Sequence, residues 1–198
     1  MMEVRLSQNK TACVDDIDFE RVNKINWSLK PEYNGNFYAV TTKRWNGKKH
    51  TIQMHRFILK APKGTIIDHI NHNGLDNRRC NLRFATTQTN AFNRNKPSIE
   101  TTSKYKGVLR RHGKGKWIAR IRFNNIHLEL GQYMEEGKAA SVYNYASRIM
   151  FGNFRKENIG NDINELSHEE KKMVYIRCKR YIDKYGWFVN TEEYHSFL

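Results

Sequence analysis

Cysteine is scarce in this chain. Cys13, Cys80 and Cys178 are odd in number and widely separated among 198 residues. They offer neither a disulfide framework nor a Cys-x-x-Cys zinc pair, which points to a reducing cytoplasm. Long apolar runs are also missing. No early stretch resembles a signal peptide and none is long enough to cross a bilayer, so no membrane is expected. Carboxylates are the third shortage, with 20 Asp and Glu against 35 Lys and Arg, a formal charge of +15 and a pI near 9.8. Such an imbalance favours a polyanionic partner. The excess is uneven: residues 54–96 carry 8 basic and 2 acidic side chains, residues 103–158 carry 12 and 4, and residues 159–198 carry 6 and 7. A merely solvated surface would spread it more evenly.

What is present is concentrated in Asp68-His69-Ile70-Asn71-His72-Asn73-Gly74-Leu75-Asp76-Asn77 and its continuation through Asn81-Leu82-Arg83 to Asn90. These polar types bind hard cations or move protons, and short apolar runs flank them. Ile66 and Ile67 suggest a strand ending at Asp68-His69, Asn73-Gly74 supplies turn chemistry, and residues 82–85 return as a second strand. Thr87 is then placed to cap a short helix running through Asn90 to about Arg94. Neighbouring side chains on a strand point apart, so Asp68 and His69 can serve one site only at a strand terminus. His72 reads as surface decoration, His55 as structural, and Asn73 and Asn77 as turn formers.

This β-β-α unit resembles the HNH endonuclease motif in its phage and homing-type subgroup. The likeness covers about residues 54–93, with Asn81 standing 13 positions and Asn90 22 positions beyond Asp68. It implies a general base at His69 and a supporting role for Asn81, which would hydrogen-bond the loop that orients the imidazole. It implies metal ligation by Asp68 and Asn90. Their hard oxygens suit Mg²⁺ or Mn²⁺. Double-stranded DNA is the implied substrate, with Arg56, Arg78, Arg79, Arg83 and Arg94 as candidate phosphate contacts whose weight rests on their grouping. A DNA-binding regulator with a silent nuclease motif is the alternative.

Residues 105–111, 116–123 and 126–132 read as three strands. In the second, Trp117, Ala119, Ile121 and Phe123 alternate with Ile118, Arg120 and Arg122. A helix follows over 135–151, striped by Ala139, Ala140, Tyr143, Ala146 and Met150. One sheet face would be covered by that helix and the other left basic. The segment resembles the ethylene-response-factor (Apetala-type) DNA-binding domain, through Tyr105-Lys106-Gly107-Val108, Lys116-Trp117-Ile118-Ala119, Leu130-Gly131-Gln132-Tyr133 and Ala139-Ala140-Ser141-Val142-Tyr143. The resemblance implies an open sheet face entering the major groove, with Lys106, Leu109, Arg111, Arg120, Arg122, His127 and Glu129 at the reading positions. Leu109, Arg120 and Glu129 depart from the plant pattern, so the docking mode is implied and the target sequence is not.

Elsewhere, residues 4–10 and 11–14 read as strands. Asp15, Asp16 and Asp18 open a helix to about Ile25, where carboxylates cap amides and favour the dipole. Trp27 and residues 38–40 suggest further strands. Asn46-Gly47 turns a hairpin whose Lys43, Arg44, Lys48 and Lys49 lie near DNA at best. A short helix is expected at residues 57–59. Residues 97–103 read as a linker. Ser167-x-x-Glu170 is a capping box for a tail helix ending near Gly186, whose apolar stripe packs on its own protein or, alternatively, on a second copy in a homodimer. The expected class is α+β, with domains at 1–96 and 104–158 and a helical tail at 159–198.

Overall fold

The computed structural model describes residues 1–32, 35–93, 102–110, 115–123 and 126–185. Arg94, Arg111, Gly186 and most of the expected linker lie outside them. The fold is α+β, and it forms two compact units, Met1–Asn90 and Ala91–Leu198. The described part of the tail belongs to the second unit. No described helix is long and apolar enough to cross a membrane.

The first unit begins with an antiparallel pair, β1 (Met2–Arg5) and β2 (Thr11–Val14), followed by helix α1 (Asp16–Asn23). Strands β3 (Ser28–Pro31), β4 (Phe37–Trp45) and β5 (Lys48–Gln53) make a three-stranded antiparallel sheet. Asn46 and Gly47, at φ 48° and 70°, form the β4–β5 turn in the left-handed conformation that matches strand twist in two-residue hairpins. Trp27, just before β3, makes an isolated parallel β-bridge to Leu6. It is buried and donates its indole N–H to the Val22 carbonyl at 2.9 Å. Helix α2 (Met54–Ile58) starts earlier than residue 57, because Met54 and Ile58 share one buried face in a core with Val4, Val14, Val22, Trp27 and Leu82.

Strands β6 (Ile66–His69) and β7 (Leu82–Ala85) pair antiparallel, with Asp68 opposite Arg83 and His69 opposite Leu82. Helix α3 (Thr87–Asn93) follows. Its cap is Thr86 rather than Thr87. Thr86 Oγ1 accepts the Thr89 amide at 3.1 Å and Thr89 Oγ1 accepts the Thr86 amide at 2.8 Å, so threonine fills both ends of a capping box.

In the second unit, β8 (Val108–Arg110), β9 (Trp117–Phe123) and β10 (Ile126–Tyr133) form an antiparallel sheet in the order β10-β9-β8. Ala119, Ile121, Phe123 and Leu130 are buried with α4 (Glu136–Phe151), and Ala139, Ala140 and Ala146 let that helix lie close. Phe92 joins this core, its ring stacked on Phe151 at 3.9 Å. Helix α5 (His168–Tyr185) is capped as its sequence indicates, with the Ser167 amide donating to Glu170 at 2.8 Å. Its stripe of Val174, Cys178 and Tyr181 is buried in the same core, each large apolar side chain contributing roughly 1.5–3 kcal/mol. The stripe therefore packs on its own unit.

The carboxylates opening α1 do not cap it. Asp15 makes no side-chain cap bond; its Oδ2 accepts the Arg79 backbone amide at 2.7 Å. Asp18, 2% exposed, accepts Arg79 Nε at 2.7 Å, Arg79 Nη2 at 2.9 Å and Arg21 Nη2 at 2.8 Å. The reason is physical: a buried carboxylate needs paired cations more than a short helix needs a cap. Removing it strands two guanidiniums that can still reach water, so Asp18→Ala should cost about 2 kcal/mol, less than the roughly 3–5 kcal/mol of a fully buried pair. Hydrogen exchange should show the Asn77 and Arg79 amides opening roughly 30-fold more often; unchanged exchange there would refute this role.

Candidate active site

Between β6 and β7 the chain runs through residues 70–81 with almost no regular structure, so its shape comes from side-chain hydrogen bonds. Asn71 Oδ1 accepts the Asn73 amide at 2.9 Å and Asn73 Oδ1 accepts the Leu75 amide at 3.0 Å, giving two successive Asx turns. Asn81 spans the loop. Its Oδ1 accepts the Asn71 amide at 2.9 Å, and its Nδ2 donates to the Asp76 carbonyl at 2.8 Å. From outside, Cys13 on β2 donates its amide to the Leu75 carbonyl and accepts the Asn77 amide, both at 2.8 Å. Gly74 is required for close approach: a Cβ there would fall 2.4 Å from the Phe37 carbonyl oxygen and 2.5 Å from the Tyr38 ring.

Asp68 and His69 are the last two residues of β6, and both are buried. The imidazole packs against the His55 ring at 4.9 Å, nearly perpendicular, and against Tyr38 at 5.6 Å. Burial pushes the His69 pKa below its ordinary value, partly opposed by the Asn77 side chain and by the charges of Asp68 and Asp76. The net effect favours the neutral, proton-accepting ring. Asn90 sits half-buried on α3, its amide bonded to the Thr86 carbonyl at 3.0 Å. Asp68 and Asn90 provide a carboxylate and an amide oxygen, a donor set that fits a hard divalent cation. Among the described residues no cluster of three His, Cys, Asp or Glu exists, so no cage completed by such side chains is present there.

The arginines are placed differently from the simple phosphate-gripping expectation. Arg83 Nε donates to Asp68 Oδ2 at 2.8 Å. Arg78 Nε donates to Asp76 at 2.8 Å, and Arg79 is held by Asp18. Arg56 donates to the Thr65 carbonyl at 2.5 Å and the Pro62 carbonyl at 2.6 Å. Each thus has an internal structural duty. Lys106 requires a correction: it is turned inward, its Nζ donating to the Phe92 carbonyl at 2.7 Å, and desolvation beside Lys156 brings its pKa down to about 8. Arg120, Arg122, His127 and Glu129 do share the exposed sheet face, with Glu129 opposite Arg120 and His127 opposite Arg122.

Residues 60–92 match the family model of HNH endonucleases. That segment holds Asp68, His69, Asn81 and Asn90. A protein described as an uncharacterized HNH endonuclease of Acanthamoeba polyphaga mimivirus is 37% identical over 113 residues, covering 54% of this chain and 57% of the relative. The chain thus spans little more than half the length of that relative.

Three side chains around the His69 imidazole carry weaker sequence signals. Asn77 reads as a turn former, yet its side chain reaches His69. Tyr38 and His55 are remote in sequence; the one available signal is a His set among the apolar residues Met54, Phe57 and Ile58. His55 is 5% exposed and its pKa is pushed down to about 3 by burial, then by His69 and Arg56. With its folded value below the unfolded one of about 6.5, its contribution is complete above pH 6.5 and lost as pH falls toward 3. Unfolding free energy should therefore fall by up to about 1.4 kcal/mol per pH unit from His55 alone between pH 6.5 and 4.5, with His69 adding in the same direction. Urea titrations across that window should give a shallower slope for His55→Leu. An identical slope would refute the depressed value.

Proposed function

We propose that this chain is a divalent-metal-dependent DNA endonuclease of the homing type found in phages and mobile elements. In this reading it works in a host cytoplasm and is guided to DNA by the open sheet face of its second unit. One observation carries the reading: a carboxylate and an imidazole end β6, an asparagine spans the following loop, and a second asparagine stands on α3, all within the segment matching HNH endonucleases.

The chain's own groups suggest the division of labour. His69, held neutral by burial, accepts the proton of the water that attacks phosphorus. Asn81 keeps the loop and hence the imidazole in place, and Tyr38 and His55 fix the ring's tilt by packing. Asp68 and Asn90 would hold Mg²⁺ or Mn²⁺, which when bound supplies Lewis acidity and support for the departing 3′ oxygen. Arg83, which donates to Asp68 here, would be free to meet a phosphate oxygen where Asp68 held the cation. Arg120, Arg122 and His127 carry the groove contact of the sheet, in the manner its resemblance implies. One such site cuts one strand per visit, so a double-strand break needs a homodimer or a second event.

The Asp68–Arg83 ion pair favours a second reading, a DNA-binding regulator whose motif is silent because a guanidinium holds the metal carboxylate. A plasmid-nicking assay with Mg²⁺ separates the two. Native protein should nick, His69→Ala should nick at least ~10²-fold more slowly while still binding, and the acid limb of activity should lie below pH 6.5. Metal-dependent nicking that is absent from clean native protein would establish the regulator. Separately, Arg120→Ala with Arg122→Ala should weaken duplex binding and reduce the slope of log affinity against log salt by about 2. A slope unaltered by that double substitution would remove the sheet from the interface.

A further inference from the structure

The β4–β5 hairpin is buried only at its base. Ala39, Val40 and Thr41 are in the interior, whereas every residue from 42 to 51 is exposed, on both strands and the turn. Those four strand residues on each side form a two-stranded ribbon extending roughly 13 Å at about 3.3 Å per residue. It carries Lys43, Arg44, Lys48 and Lys49 and no acidic residue. Without these four, the nine basic and six acidic side chains of residues 1–53 would leave that stretch with a deficit of positive charge.

The ribbon's own stability does not explain this composition. Arg44 stands directly opposite Lys49, and like charges across a strand pair are destabilising. Trp45, 68% exposed beside the turn, buries little; its ring lies 5.8 Å from that of His50. Among the described residues no ion pair or side-chain hydrogen bond engages these four cations. The contrast with Arg78, Arg79 and Arg83, each held by an aspartate, is sharp. Four of the first unit's cations that have no ion pair are thus gathered on one projecting ribbon, with an aromatic ring at its tip.

We infer that residues 42–51 form a second DNA-contacting element, a β-ribbon that enters the major groove of the substrate duplex beside the cut. The groove, about 12 Å wide, admits a two-stranded ribbon. The register places Lys43, Trp45, Lys48 and His50 on one face and Arg44 and Lys49 on the other, so cations face both phosphate walls while Trp45 leads inward. The same strand supplies a ruler. Tyr38 touches the His69 ring, and Trp45 is seven residues farther along β4, at most about 23 Å at 3.3 Å per residue. The ribbon contact thus lies within about seven base pairs of the scissile phosphate, at 3.4 Å per pair. This placement rests on the nuclease reading; the binding itself does not.

The test uses the full chain in a His69→Ala background, so that binding is read without cutting. Replacing Lys43, Arg44, Lys48 and Lys49 together by Gln should weaken duplex DNA binding at least tenfold and lower the salt slope by about 3–4, each phosphate contact contributing about 0.9. Duplex RNA, whose major groove is deep and narrow, should bind weakly from the start and change much less. Trp45→Ala, which alters no charge, should weaken binding with an unchanged slope. Hydroxyl-radical footprints should lose a protected patch no farther than about seven base pairs from the nick mapped with native protein. Unaltered affinity and slope, an equal or greater loss on duplex RNA, or lost protection beyond that distance would each overturn the ribbon's assignment. Failure of native protein to nick, with the ribbon losses intact, would instead overturn the nuclease reading and leave the ribbon as a binder.

Discussion

Everything chemical in the first unit depends on holding an irregular loop still. Residues 70–81 have little ladder pairing of their own, so backbone entropy of about 1–2 kcal/mol per residue works against them. The opposing set is specific: Asn81 across the loop, the Cys13 backbone on both sides of Asp76, and the Asp15 and Asp18 carboxylates on Arg79. Two of those three groups come from the N-terminal pair and α1. The first 60 residues are thus a clamp as well as a scaffold, and the clamp closes on the turn that follows β6.

Burial then sets the chemistry. A histidine at a strand end beside an aspartate would ordinarily gain basicity from the neighbouring charge. Here desolvation is the larger effect, because the ring is enclosed by Tyr38, His55 and Asn77, so the imidazole is biased toward its neutral form. His55 extends the same logic. A second histidine packed at 4.9 Å, itself shifted to about 3, adds polarisable surface without adding a cation beside the base. An arginine or lysine in that position would repel a protonating ring more strongly and would carry its own desolvation cost.

Much of this was legible from the residues alone. Period-two alternation in 116–123 correctly sorted Ala119, Ile121 and Phe123 from Arg120 and Arg122, because a half-buried strand obeys one rule over its whole length. The Asn46-Gly47 turn and the Ser167-Glu170 box were readable because their chemistry is local. What was not legible was long-range. Asp18 looks like any acid at a helix start, and only the fold brings Arg79 to it across 61 positions. Lys106 looks like a surface cation until the Phe92 carbonyl stands beside it. Asn77 and Tyr38 carry no spacing that ties them to His69. Pairwise partners between distant segments are set by topology, which local pattern does not encode.

That difference bears most on the arginines. Grouping by sequence put Arg56, Arg78, Arg79 and Arg83 together as phosphate contacts, yet each has a carboxylate or carbonyl partner at 2.8 Å or closer. A guanidinium paired with a carboxylate, as Arg78, Arg79 and Arg83 are, still has donors to offer, but its net field is cancelled nearby, so it can orient a phosphate at short range and attract one weakly from afar. Long-range attraction must then come from cations without such partners. In the first unit four of these stand close together on the β4–β5 ribbon, displaced along the strand from the imidazole. Separating attraction from alignment in this way keeps these four unpaired positive charges away from the buried, neutral-biased His69 imidazole.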